Sequence, residues 1–264
     1  MSRGFRAARV AAASVVASLL LAAAGRELLR RQAAHARRRI GKPLGEDALD
    51  ADRVWRRRLP GEPLELLLLG DSIAAGLGAE RPKDTLGARL AKGVGRRMQR
   101  PVRLRTAAVV GSESSALAAQ LATLPAAYRP DVAVVIVGGN DVTHRVPVGR
   151  AAAQLRQAVE ELQGRGVPVV VGTCPDLGAL RPVPQPLRSL GSRLSRQLAQ
   201  AQADAASAAG ARTVSLGRVV GPFFISQPDE MFSLDRFHPS AVGYRRTAEA
   251  LLPTVLDVLA ADDS

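Results

Sequence analysis

From residue 63 onward, short continuous apolar runs alternate with segments of helical spacing, and this alternation limits the possible architectures more than any other feature. The first run, "PLELLLLG", sets four leucines in a row and stops at Gly70. A strand with one wet face alternates apolar and polar residues, whereas an unbroken run suits a strand covered on both faces. "DVAVVIVGG" (131–139) and "VPVVVGT" (167–173) repeat the pattern with β-branched residues. "VRLRTAAVV" (102–110) and "ARTVSL" (211–216) read as further strands. Residues 84–98, 113–124, 149–166, 187–210 and 239–260 have helical spacing, with Pro239 suited to the first turn of the last. Strict alternation predicts a three-layer α/β/α fold on a central parallel sheet. Such sheets bind ligands beyond the carboxyl ends of their strands. The ends to inspect are Gly70–Ser72, Val110–Ser112, Gly138–Asp141 and Cys174–Asp176.

The chain has 264 residues, 47% hydrophobic but only 3% aromatic, so Ala, Leu and Val must fill the core. Few rings are left to stack on bases, which argues against nucleic acid as a partner despite a net charge of +13. Residues 1–40 carry nine arginines against one acid, Glu27, leaving +5 for everything after them. The single cysteine, Cys174, excludes an internal disulfide and a multi-cysteine zinc site. Its place in "VVVGTCPDLG" reads as packing at a strand end.

Residues 1–25 read as a signal peptide or membrane anchor, because basic "MSRGFRAAR" precedes uncharged "VAAASVVASLLLAAA" (10–24). As a helix that run spans about 22 Å, short of a bilayer core of about 30 Å. The orientation signals conflict. A secretory reading exports the domain, whereas three arginines before the run and six within 15 residues after it would retain it by the positive-inside rule. Association with a membrane, or secretion, on the extracytoplasmic side is the expectation. Residues 26–62 read as a basic stalk or linker, and 63–261 as the main folded domain.

Chemistry gathers at three places. Gly70 allows a sharp turn that presents Ser72 with a free N–H, as a nucleophile or as a helix cap. Of the three histidines, His35 lies in the basic tail, His144 follows "GGNDVT", and His238 lies in "LDRFHPS". Asp235 can reach back across three residues to the Nδ1–H of His238 and leave Nε2 facing outward, as a base with its orienting group requires. The Asn140 amide in "GGND" can donate to a developing oxyanion or simply close a turn, and the Gly111 N–H can approach a substrate unobstructed.

Taken together, these segments resemble the SGNH hydrolase family, also called the GDSL lipases and esterases. "GDSIAAG" contains Ser72, "VVGSES" Gly111, "GGND" Asn140, and "DRFH" both Asp235 and His238. The blocks stand in the family's order across about residues 63–260, although the asparagine often found just upstream of the second block's glycine is absent. The resemblance implies a flavodoxin-like fold and a Ser72–His238–Asp235 triad. It also implies an oxyanion hole from the Ser72 N–H, the Gly111 N–H and the Asn140 amide. The reaction implied is hydrolysis of a small-molecule, lipid or glycan ester by a monomeric domain without cofactor or metal. An acyltransferase using the same triad and a catalytically silent, membrane-tethered binding module are the alternatives. No G-x-S-x-G elbow occurs, which disfavours the usual α/β-hydrolase.

Overall fold

The computed structural model describes residues 2–262, with side chains described from 14 to 261. Six strands form one sheet in the order β1-β3-β2-β4-β5-β6. They are β1 (Val54–Trp55), β2 (Leu64–Gly70), β3 (Val102–Thr106), β4 (Val132–Ile136), β5 (Val169–Gly172) and β6 (Arg212–Val214). All neighbours run parallel except β1, which lies antiparallel to β3 at one edge. The helices are α1 (Ser2–Ile40), α2 (Ser72–Ala75), α3 (Leu86–Met98), α4 (Leu117–Ala122), α5 (Gly139–His144) and α6 (Val148–Gly164). They continue with α7 (Leu187–Ala208), α8 (Leu216–Val219), α9 (Gly221–Ser226), α10 (Pro228–Met231) and α11 (Ala241–Asp262).

The leucine run explains the layering. Side chains alternate across a strand, so Leu66 and Leu68 enter one core while Leu67 and Leu69 enter the other. On the first face they meet Leu86, Leu90 and Val94 of α3 and Tyr244, Leu251 and Val255 of α11. On the second they meet Leu117 and Leu121 of α4 and Leu155, Val159 and Leu162 of α6. Burial of each such leucine contributes about 2 kcal/mol. With both faces covered, only the strand ends remain for chemistry.

Three expectations shift. The strand expected over 102–110 ends at Thr106; beyond it the chain turns into the loop that carries Gly111. The last helix begins at Ala241, two residues after Pro239, and Ser240 caps it by accepting the N–H groups of Val242 and Gly243 at 3.1 and 3.2 Å. The segment read as a stalk is partly integral to the domain. Val54 and Trp55 extend the sheet, Ala51 is buried in its core, and Asp52 accepts the Thr106 N–H and hydroxyl at 2.8 and 2.7 Å.

α1 is one continuous helix with two halves. Towards its end Ala36 is buried, and Gln32 bridges to the loop before α7, donating to the Gln185 carbonyl and accepting the Leu187 N–H at 3.0 Å. Earlier, Val15, Val16, Leu19, Leu20 and Leu21 are each more than half exposed. Among the described residues, no helix is long and apolar enough to cross a membrane. The first four positions of the 10–24 run precede the described side chains.

Candidate active site

The turn after β2 sets the position of the serine. Gly70 has φ +130, and a Cβ there would lie 1.8 Å from the Ile136 carbonyl oxygen, so only glycine lets β2 lie this close to the end of β4. Asp71 then caps α2, its Oδ1 accepting the Ile73 N–H at 2.9 Å. Ser72 is the first residue of α2 and is 6% exposed. Its N–H is one of the groups a helix start leaves without an intrahelical acceptor.

The histidine comes from the other end of the domain. Asp235 Oδ1 accepts the N–H groups of Phe237 and His238 at 2.9 and 3.0 Å, folding the chain back on itself. That turn sets Asp235 Oδ2 2.6 Å from His238 Nδ1, and His238 Nε2 lies 2.9 Å from Ser72 Oγ. Burial works against the Asp235 charge, but the bonds from the His238 ring and from the His238 and Phe237 N–H groups outweigh it. They hold its carboxyl below the usual range. The pair can therefore keep a carboxylate behind an imidazole that faces a hydroxyl.

Two loops supply donors beside the serine. Asn140 lies in the first turn of α5, and its Nδ2 donates to the Ser112 carbonyl at 3.0 Å, fixing the amide against the Gly111 loop. An amide NH₂ has a second proton to give. Gly111 borders the same cleft, with open space where a side chain would project. Asp141 secures the loop from behind, accepting the Ser114 N–H on both oxygens and its hydroxyl at 3.1 Å each.

Sequence reading had missed Gln120. It is buried, it accepts the Gly70 N–H at 2.9 Å, and it donates to the Gly70 carbonyl at 2.8 Å and to Ser112 Oγ at 3.2 Å. It thus ties the Ser72 turn to the Gly111 loop. A glutamine at an inward position of "ALAAQLATL" was the available signal. Asp71 is also buried, and burial pushes its carboxyl up to about 6, against the pull of the Ile73 N–H and His238. His144 stands at the rim with Nδ1 2.7 Å from Glu113 Oε1, a partner other than the serine. His35 is exposed on α1, and Cys174 is buried, with its thiol pushed up by burial.

A parallel α/β sheet with a serine, an imidazole and a carboxylate in hydrogen-bonded series at its carboxyl edge has the layout of a serine hydrolase. The sequence model of the GDSL-like lipase/acylhydrolase family matches residues 68–246. The chain belongs to that family and is an ester-bond hydrolase. It is similar to the GDSL-like esterase Rv1075c of Mycobacterium tuberculosis (strain ATCC 25618 / H37Rv), with 38% identity over 262 residues, 95% of this chain and 83% of that one. Its fold resembles that of a catalytic mutant of Axe2, an acetylxylan esterase from Geobacillus stearothermophilus, with TM-score 0.58 and 19% identity over 74% of this chain and 95% of that chain. A lipase/acylhydrolase from Enterococcus faecalis gives TM-score 0.57 and 18% identity over 74% of this chain and 96% of that chain.

Proposed function

We propose that this protein hydrolyses carboxylic esters through a covalent acyl-enzyme on Ser72. His238 Nε2 takes the hydroxyl proton as Ser72 Oγ attacks the acyl carbon, and then returns it to the departing alcohol oxygen. Asp235 holds the ring in the tautomer with a proton on Nδ1 and stabilises the imidazolium that forms. The N–H groups of Ser72 and Gly111 and the free proton of the Asn140 amide stabilise the tetrahedral oxyanion. Water, deprotonated by the same imidazole, then attacks the acyl carbon. The acid departs, and Ser72 recovers its proton. The observation that carries this reading is the unbroken series Asp235–His238–Ser72 at 2.6 and 2.9 Å. The same contacts weigh against a silent binding module, which has no need of them.

The test is active-site labelling with a fluorophosphonate, together with hydrolysis of nitrophenyl acetate by the full chain. Ser72 is expected to carry the label, and Ser72→Ala to lose both signals while remaining folded by circular dichroism. A folded wild-type protein that neither labels nor turns over would sink the proposal. Product analysis with an added alcohol separates hydrolysis from acyl transfer.

We further propose that the first half of α1 lies in a membrane surface. The support is its run of exposed Val15, Val16, Leu19, Leu20 and Leu21, an apolar patch that water disfavours. The arginines among residues 1–40 suit an anionic lipid surface. Leu19→Glu/Leu20→Glu is expected to release the full chain from vesicles containing phosphatidylglycerol in a flotation assay. Unchanged flotation would overturn this placement.

A further inference from the structure

The second half of α1 borders the cleft above Ser72. A cavity of about 1380 Å³ extends from Ser72, Asn140 and His238 to this helix, larger than the ~300–1,000 Å³ usual for a small-molecule site. Leu29, Ala33, Ala36 and Ile40 line it from α1. Their spacing of four, three and four residues sets them on one helix face, along about 17 Å of the axis. Leu180, Val183 and Leu187, from the proline-rich loop and the start of α7, and Leu194 line it as well. A short ester would leave most of this apolar surface uncovered. The second cavity at the serine, enclosed by Phe224, Phe232 and Phe237 among others, has only about 70 Å³. A long substrate flank would fit only in the larger one.

Charge gives the second observation. Arg26, Arg30, Arg37, Arg145 and Arg188 border the cavity, and none of them forms an ion pair among the described residues. The carboxylates bordering it are engaged elsewhere: Glu46 with Lys42, and Asp235 with His238. Glu27, the sole acid of residues 1–40, is paired with Arg31 at 2.8 Å. The cleft is thus apolar along its length and cationic at its rim, and its two bordering carboxylates are already paired with groups other than these arginines.

We propose that α1 completes a binding site for an anionic amphiphilic ester, with the apolar chain along the Leu29–Ile40 stripe and the anionic group at the arginines. This rests on the ester-hydrolase reading for the identity of the reacting bond, but not for the binding itself. α1 precedes residues 68–246, which the family model matches, so its part of the site comes from outside that segment, while Arg145, Arg188 and the Leu180–Leu194 side come from within it.

The binding test uses three ligands without a carboxylic ester, each below its micelle-forming concentration: dodecyl phosphate, butyl phosphate and the neutral dodecyl triethylene glycol ether. Calorimetry on the full chain is expected to show dodecyl phosphate bound at least about tenfold more tightly than either of the others. Arg30→Glu/Arg37→Glu should remove the advantage over the neutral ether, and Ala33→Trp should remove the advantage over butyl phosphate. Equal affinity for the phosphate and the ether would overturn the charge assignment. Equal affinity for the dodecyl and butyl phosphates would overturn the chain assignment, and absence of binding would overturn both. Nitrophenyl acetate turnover is followed in parallel. Its failure would count against the esterase reading alone, because the three ligands report binding without any chemistry.

Discussion

Gly78 and His238 are in contact so close that the glycine leaves no room for a methyl group: a Cβ on Gly78 would lie 3.1 Å from the His238 Cβ and 2.5 Å from the Pro239 carbonyl oxygen. The loop after the serine helix therefore provides the surface on which the histidine loop rests. Gly78 also has φ +103, which side-chain-bearing residues rarely adopt. Gly78→Ala is expected to lower kcat at least about tenfold by displacing the imidazole. The backbone conformation should add a stability loss of about 1 kcal/mol or more. Parallel measurement of kcat and of urea unfolding checks both effects.

Asp235→Asn would keep the shape of the turn but lose the charge and favour the wrong imidazole tautomer. A fall in kcat of up to about 10⁴-fold is expected, with residual turnover above that of Ser72→Ala. The native carboxyl lies below its unfolded value, so it contributes stability above that unfolded value, and the contribution disappears as pH falls through the native one. Unfolding of the wild type against the variant between pH 7 and pH 2 should show the wild type's advantage shrinking on acidification.

Asp71 has the opposite sign. Its native carboxyl is raised to about 6, so between about pH 4 and pH 6 the folded protein holds a proton that the unfolded chain has released. Stability attributable to this group falls as pH rises through that window. Relative to Asp71→Asn, the wild type should lose about 2 kcal/mol between pH 4 and pH 7. Denaturant midpoints at the two pH values measure the difference.

In the proposed mechanism Asn140 donates to the developing negative charge, so the expected signature of Asn140→Ala is kinetic. A loss of about 10²–10³ in kcat is expected with KM little changed, because the ground-state carbonyl demands less of the donor than the oxyanion does. The alanine also frees the Ser112 carbonyl, so thermal unfolding is recorded alongside to confirm that the loop keeps its place. A variant with unaltered kcat would remove Asn140 from the oxyanion hole.

The parts of the fold legible in the sequence were those with a repeating local pattern. β2, β4 and β5 are continuous apolar runs, and α6 and α7 have long amphipathic spacing, so their positions could be read within a few residues. β1 has two residues and no periodicity; only its pairing with Arg103 and Val102 makes it a strand. α8, α9 and α10 have four to six residues each, too few to hold a helix without tertiary packing. The meeting of Ser72, Asp235 and His238, and the place of Asn140 beside them, could be anticipated because the short segments that hold them have ordered spacings. The Gln32 bridge to Gln185 and Leu187 was not, since its partners are 153 and 155 positions away and nothing local marks them.

Ser72 and His238 are separated by 166 positions, and their meeting depends on segments near both ends of the domain. During synthesis Ser72 leaves the ribosome long before His238 does. A growing or truncated chain lacking the final segment carries an ordinary, unactivated hydroxyl. Whatever chemistry depends on that contact can begin only once the last helix and the loop before it have been made.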